Sequence, residues 1–147
     1  RCSRECPVDI GIDYLRLKQR KLEVNHAAPP YPFKSNGLNP AACPEVLYFA
    51  GCMSHLTPSI KIAMRKIFNA TGERVWYMDF NGGACCGRPL MLAGKDREAR
   101  ELIMYNSELI RKSGAHTVVT SCPICFKVFN DVIGNFFRVW QIIKVSK

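Results

Sequence analysis

The sequence predicts an α/β fold: a Rossmann-like parallel sheet in βαβαβα order, preceded by a short helical segment. Two observations lead there. Three short β-rich apolar runs alternate with longer segments whose apolar residues recur at helical spacing. Such alternation specifies parallel strands joined by right-handed crossovers, with helices on the faces of the sheet. Each run is also followed by a turn that carries cysteine.

The elements follow in order. Residues 12–24 predict a basic helix, and 27–44 predict a linker, because Pro29, Pro30, Pro32, Pro40 and Pro44 with Asn36-Gly37 resist both helix and sheet. Residues 46–50 form a short apolar run ending at Gly51, which predicts a buried strand. Thr57 and Pro58 then supply a helix cap and first-turn proline, ahead of Ile60, Ala63, Met64, Ile67 and Phe68 at helical spacing and a stop at Gly72. Residues 74–78 predict the second strand. After a glycine-containing loop, Asp96 is placed to cap a long helix with Ala99, Leu102, Ile103 and Ile110 on one face, closing at Gly114. Residues 116–120 predict the third strand, and a last helix follows with Phe126 and Phe129 facing the core. The apolar stretch 136–145 suits either a further strand or a segment that docks a partner.

Composition bounds the class. A chain of 147 residues with 48% hydrophobic content fills one main core. Eight cysteines in a regular α/β pattern with no signal peptide ahead of them predict a reduced, intracellular, cytoplasmic chain rather than a secreted disulfide framework. No apolar run reaches the roughly twenty residues of a bilayer span. The chain opens on Arg1 without Met, which predicts a fragment or a processed chain. The formal net charge of +9 is spread through the helices, apart from residues 16–21, with no interleaved aromatics. It predicts a solvated face, or docking on an acidic redox partner or an anionic membrane surface, and not nucleic-acid binding.

The chemistry-bearing residues are Cys52, then Cys85 and Cys86 before Gly87, then Cys122 and Cys125 around Pro123-Ile124. Each station follows one predicted strand, so all of them fall at the carboxyl edge where open α/β sheets place ligands. Gly82, Gly83 and Gly87 permit backbone conformations that let both members of the doublet turn to one centre. Cys122 and Cys125 start a helix, where unpaired amides favour thiolate. Five thiolates exceed the four that close a structural zinc site, while a polynuclear iron–sulfur centre can use all five. Two other readings stay open: zinc held by four of the five in an interaction module, and a dithiol oxidoreductase using Cys122 and Cys125 alone.

The segments Tyr48-Phe49-Ala50-Gly51-Cys52, Ala84-Cys85-Cys86-Gly87 and Ser121-Cys122-Pro123-Ile124-Cys125 together resemble the cysteine-rich "CCG" domain of heterodisulfide reductase. That domain also occurs in iron–sulfur subunits of glycolate oxidase, lactate-utilisation proteins and anaerobic glycerol-3-phosphate dehydrogenase. The resemblance implies a [4Fe-4S] cluster, noncubane in heterodisulfide reductase, held by all five cysteines, with zinc at one motif of some members. It implies an iron–sulfur subunit or domain of an oxidoreductase, partnered by a flavin-containing dehydrogenase or an electron-carrier subunit. Two motifs cleave a disulfide in heterodisulfide reductase, and this sequence carries one. No GxGxxG occurs, so the FAD belongs to a partner or a missing segment. Peripheral association with the inner face of a membrane follows through such a partner.

Arg1-Cys2-Ser3-Arg4-Glu5-Cys6-Pro7 resembles the closing half of a bacterial ferredoxin run, with Cys2 and Cys6 as partial ligands of a second cluster. The expected organisation is therefore 1–26 as a ferredoxin tail, 27–44 as linker and 45–147 as the cysteine-rich domain. His55 stands at a ligating spacing from Cys52 but is not needed beside five thiolates. Cys43 reads as structural, Arg88 as a residue offsetting thiolate charge, orienting a substrate or lying on the surface at a helix start, and His26 and His116 belong to no constellation.

Overall fold

The computed structural model of the protein describes residues 12–23, 44–79, 84–133 and 138–141. Helix α1 (Ile12–Glu23) comes first, followed by β1 (Val46–Phe49), the single turn α2 (Cys52–His55) and α3 (Pro58–Thr71). Then come β2 (Val75–Tyr77), the short α4 (Arg88–Leu92), α5 (Asp96–Ser113), β3 (Thr117–Thr120), α6 (Pro123–Ile133) and β4 (Arg138–Gln141). The strands form one sheet in the order β2-β1-β3-β4, and every neighbouring pair is parallel. The architecture is α/β, with Arg138–Gln141, inside the 136–145 stretch, supplying the fourth strand at one edge of the sheet.

Alternate residues of a strand leave on opposite faces, and β1 uses both. Leu47 and Phe49 pack with Val118, with Ile103 and Ile110 of α5 and with Val128 and Phe129 of α6. Tyr48 and Val119 pack on the other side against Met64 and Phe68 of α3. Helices thus cover both faces, which is why β1 and β3 read as near-continuous apolar runs. Aromatic edges lock the layers: Phe49 meets Phe129 at 4.7 Å between centroids, and Tyr48 meets Phe68 at 5.4 Å.

Register places the strand ends. Tyr48 lies beside Tyr77, and Phe49 beside Thr120, so β1, β2 and β3 end nearly level. Whatever follows them leaves from one edge.

Several local expectations need correcting. On α3 only Met64 and Phe68 are buried, while Ala63 and Ile67 are exposed, because a single helix serves that face and meets it along one narrow i,i+4 seam. Thr57 occupies the cap position of α3 without a side-chain capping bond. Asp96 does not cap α5; Lys95 precedes the helix, and the Asp96 carboxylate instead pairs with Lys21 of α1 at 2.6 Å. Arg20 donates to the Leu92 carbonyl at 2.8 Å, so α1 docks on the α4–α5 turn. Phe126 is half-buried, whereas Phe129 is fully buried. The expected core stripe of α5 is present at Ala99, Leu102, Ile103 and Ile110, joined by Asn106 and Ser113. The expected linker, apart from Pro44, lies outside the described residues, as do Cys2, Cys6, His26, Cys43, Gly82, Gly83 and the His55 side chain.

Phe129→Ala removes a fully buried ring and is expected to lower unfolding free energy by about 3–5 kcal/mol in a urea titration. Met104→Ala, on an exposed position of α5, is expected to stay within about 0.5 kcal/mol of the parent.

Candidate metal centre

Three chain segments converge at the carboxyl edge of the sheet. The first is Ala50-Gly51-Cys52 after β1. Gly51 sits at φ +80, and a Cβ there would meet Cys125 Sγ at 3.1 Å, so glycine is needed both for backbone angle and for the approach of the third station. Its position is clamped by Asp79 just past β2: the buried carboxylate accepts the Ala50 amide at 3.1 Å and the Gly51 amide at 2.8 Å.

The second segment carries Cys85 and Cys86, both buried and outside any helix or strand. The Asn106 side chain of α5 donates to the Cys85 carbonyl at 2.8 Å. Gly87, at φ +89, brings the segment against α5, where a Cβ would lie 3.1 Å from Ile103 Cγ1 and 3.3 Å from the Ala99 carbonyl oxygen. The Gly87 amide points back to Cys85 Sγ at 3.5 Å. The third segment is tied by the Cys122 amide, which donates to Thr120 Oγ1 at 3.2 Å. A hydroxyl chain links it to the first: Tyr48 bonds Ser121 at 3.0 Å, Ser121 lies 3.4 Å from Ser54, and Ser54 donates to the Ala50 carbonyl at 2.6 Å.

The thiols themselves form a line of pairs. Cys52 shares a hydrogen bond with Cys85, Cys85 with Cys86, and Cys86 with Cys125. The doublet is therefore the bridge between the first station and the third. Half-buried Cys122 packs against the same core cluster that contains Cys86 and Cys125. All five are free of disulfides. Among the described residues no three Cys, His, Asp or Glu side chains stand arranged as a ready metal site.

Their electrostatics follow from that pairing. The hydrogen bond with Cys86, then burial, pushes the Cys85 thiol far up. Cys86 is pushed up to about 12, first by its hydrogen bond with Cys125. Burial and then the neighbouring Cys85 raise Cys52. Adjacent sulfurs cannot ionise together in an apolar setting unless a cation takes the place of their protons. An all-thiol donor set of this kind suits an iron–sulfur centre or zinc.

Sequence reasoning missed Asp79 and Asn106. Asn106 did carry a signal, since it is a polar residue on the apolar stripe of α5, where burial demands a partner. Asp79, a lone acid after a strand, carried none. His116 is exposed, as is Arg88 at the start of α4.

The family model described as a cysteine-rich domain, CCG, matches residues 46–130. One subunit of the dihydromethanophenazine:CoB--CoM heterodisulfide reductase of Methanosarcina mazei is 30% identical over 122 residues, covering 76% of this chain and 26% of that relative. Its counterpart in Methanosarcina barkeri is 30% identical over 94 residues, covering 56% of this chain and 21% of that relative. The chain thus spans about a quarter of the length of these curated relatives. No solved structure matches significantly.

Asp79→Ala leaves two buried amides without their acceptor and is expected to cost at least about 2 kcal/mol in urea unfolding. The metal-free protein is expected to lose stability as pH rises above about 8.5, where unfolded thiols ionise. Cys86 keeps its proton to about 12 in the fold, so its stabilisation is complete below the unfolded value and lost between the two. Urea midpoints at pH 8 and pH 10.5 check this: the fall is expected to be smaller in Cys86→Ala, and an equal fall in both proteins would contradict it.

Proposed function

Because the chain belongs to the cysteine-rich CCG domain family, we propose that it is an iron–sulfur electron-transfer module of an oxidoreductase of the heterodisulfide-reductase or 2-hydroxyacid and glycerol-3-phosphate dehydrogenase kind. The observation that carries this is the gathering of five cysteines from three chain segments: Cys52 packs with Cys85, and Cys122 with Cys86 and Cys125. In this reading Cys52, Cys85, Cys86, Cys122 and Cys125 hold one [4Fe-4S] cluster, of the noncubane kind, on a Rossmann-like domain spanning 45–147. The cluster, when bound, supplies one-electron transfer at a potential set by its surroundings.

The chain's own residues do the rest. Asp79, Asn106 and Thr120 fix the backbone of the three stations, so loading asks for movement of the cysteine side chains more than of the backbone. Burial of Cys85, Cys86 and Cys125 excludes water from the centre and tunes its potential. Met53 and Ile124, immediately beside ligands, and Leu56 and Leu92 nearby in the chain are exposed apolar residues suited to a docking partner. That partner is a flavin-bearing dehydrogenase or electron-carrier subunit holding FAD, in keeping with relatives named as subunits of a reductase. Cys2 and Cys6 in 1–26 belong to a ferredoxin-type cluster. No helix among the described residues is long and apolar enough to cross a membrane, and placement in the cytoplasm, with the membrane reached through the partner, accords with that.

One observation favours a second reading. The hydrogen-bonded line comprises four sulfurs, the complement of a closed zinc site.

Anaerobic reconstitution of single variants tests the ligand set. Cys52→Ser, Cys85→Ser, Cys86→Ser, Cys122→Ser and Cys125→Ser are each expected to lose most of the bound iron and labile sulfide, while Cys43→Ser keeps it. A parent chain that takes up no iron, with dithiol exchange intact in Cys85→Ser, would point instead to Cys122 and Cys125 acting alone.

A further inference from the structure

On the α3 side of the sheet, away from the face that buries Cys86 and Cys125, a cavity of about 420 Å³ opens between α3 and the ends of β1 and β2. Its volume falls in the usual range for small-molecule sites, roughly 300–1,000 Å³. Tyr48, buried, and Tyr77, half-buried, form an aromatic wall, and Ile62 adds an aliphatic one. Lys61, Arg65 and Lys66 line the opposite side from one face of α3. Arg65 bonds the Tyr77 hydroxyl, which holds that cation at the wall.

The cavity lining carries three cations and one carboxylate, Asp79, and is therefore net positive. A concave, low-dielectric wall concentrates the field of such cations on whatever enters. Aromatic and aliphatic walls favour a ligand with an apolar body over a bare ion.

We propose that this cavity binds a small organic anion, a carboxylate or phosphate ester with an aromatic or apolar body. The site is distinct from the thiol centre but shares a floor with it, since Ala50 and Asp79 line the cavity and also position Cys52. A partner macromolecule is the poorer occupant, because the space is a bounded pocket and not an extended groove.

The test titrates the full chain with phenyl phosphate and, separately, benzoate, by calorimetry and amide NMR, with inorganic phosphate and phenol as comparators. Iron content is measured alongside, so failure here is separable from failure of the iron–sulfur reading. Saturable one-to-one binding of at least one organic anion is expected, about tenfold or more tighter than inorganic phosphate and phenol, with shifts at Ile62, Lys66 and Tyr77. Whichever of phenyl phosphate and benzoate binds more tightly identifies the anionic group. Lys66→Glu is expected to weaken binding at least about tenfold, and Ile62→Trp, which fills the cavity from an exposed position, to abolish it at an unchanged thermal midpoint. Absence of saturation, or inorganic phosphate binding as well as the organic anions, would overturn the proposal. So would a response to only one of the two variants, since charge without the cavity, or the cavity without charge, is a different site.

Discussion

The gathering of Cys52 with Cys85, and of Cys86 with Cys122 and Cys125, is the constraint around which this protein is arranged. It joins segments that are distant in the chain and that are held by different elements: Cys52 behind β1, the doublet against α5, and Cys125 in the first turn of α6. A parallel sheet is the economical way to arrange this, because every strand points its carboxyl end to the same edge. Level registers between β1, β2 and β3 then bring the following loops to one depth. The same closeness is electrostatically unfavourable for ionised sulfur, and Cys85 and Cys86 hold their protons well above the usual thiol range.

Polar anchors convert this topology into a defined place. Asp79 reaches from the end of β2 to the loop after β1, Asn106 from α5 to the doublet, and the Tyr48–Ser121–Ser54 hydroxyls from the first station to the third. Each joins two stations or a station to a helix, so movement at one is felt at another. Tyr48 and Asp79 also border the cationic cavity, which places an anion-sized space directly behind the loop that carries Cys52.

Much of this was legible in the residues. The runs around Leu47 and Val118 read as buried strands because both of their faces are covered, and α5 read as a helix because Ala99, Leu102, Ile103 and Ile110 keep strict helical spacing. The single-turn helices α2 and α4 were not legible, since four or five residues hold no period. The Asp79 clamp was invisible for another reason: its partners are backbone amides, which leave no mark on residue type. The positive charge looked dispersed along the chain, yet Lys61, Arg65 and Lys66 meet at one cavity only because α3 turns that face toward the ends of β1 and β2.

We propose that one iron–sulfur centre, and not zinc, sits on these thiols. Quantitation of iron, acid-labile sulfide and zinc in the anaerobically purified chain, together with its EPR spectrum, addresses it most directly. About four iron and four sulfide per motif, with a paramagnetic signal in one oxidation state, is the expected result. Stoichiometric zinc with no labile sulfide would contradict it.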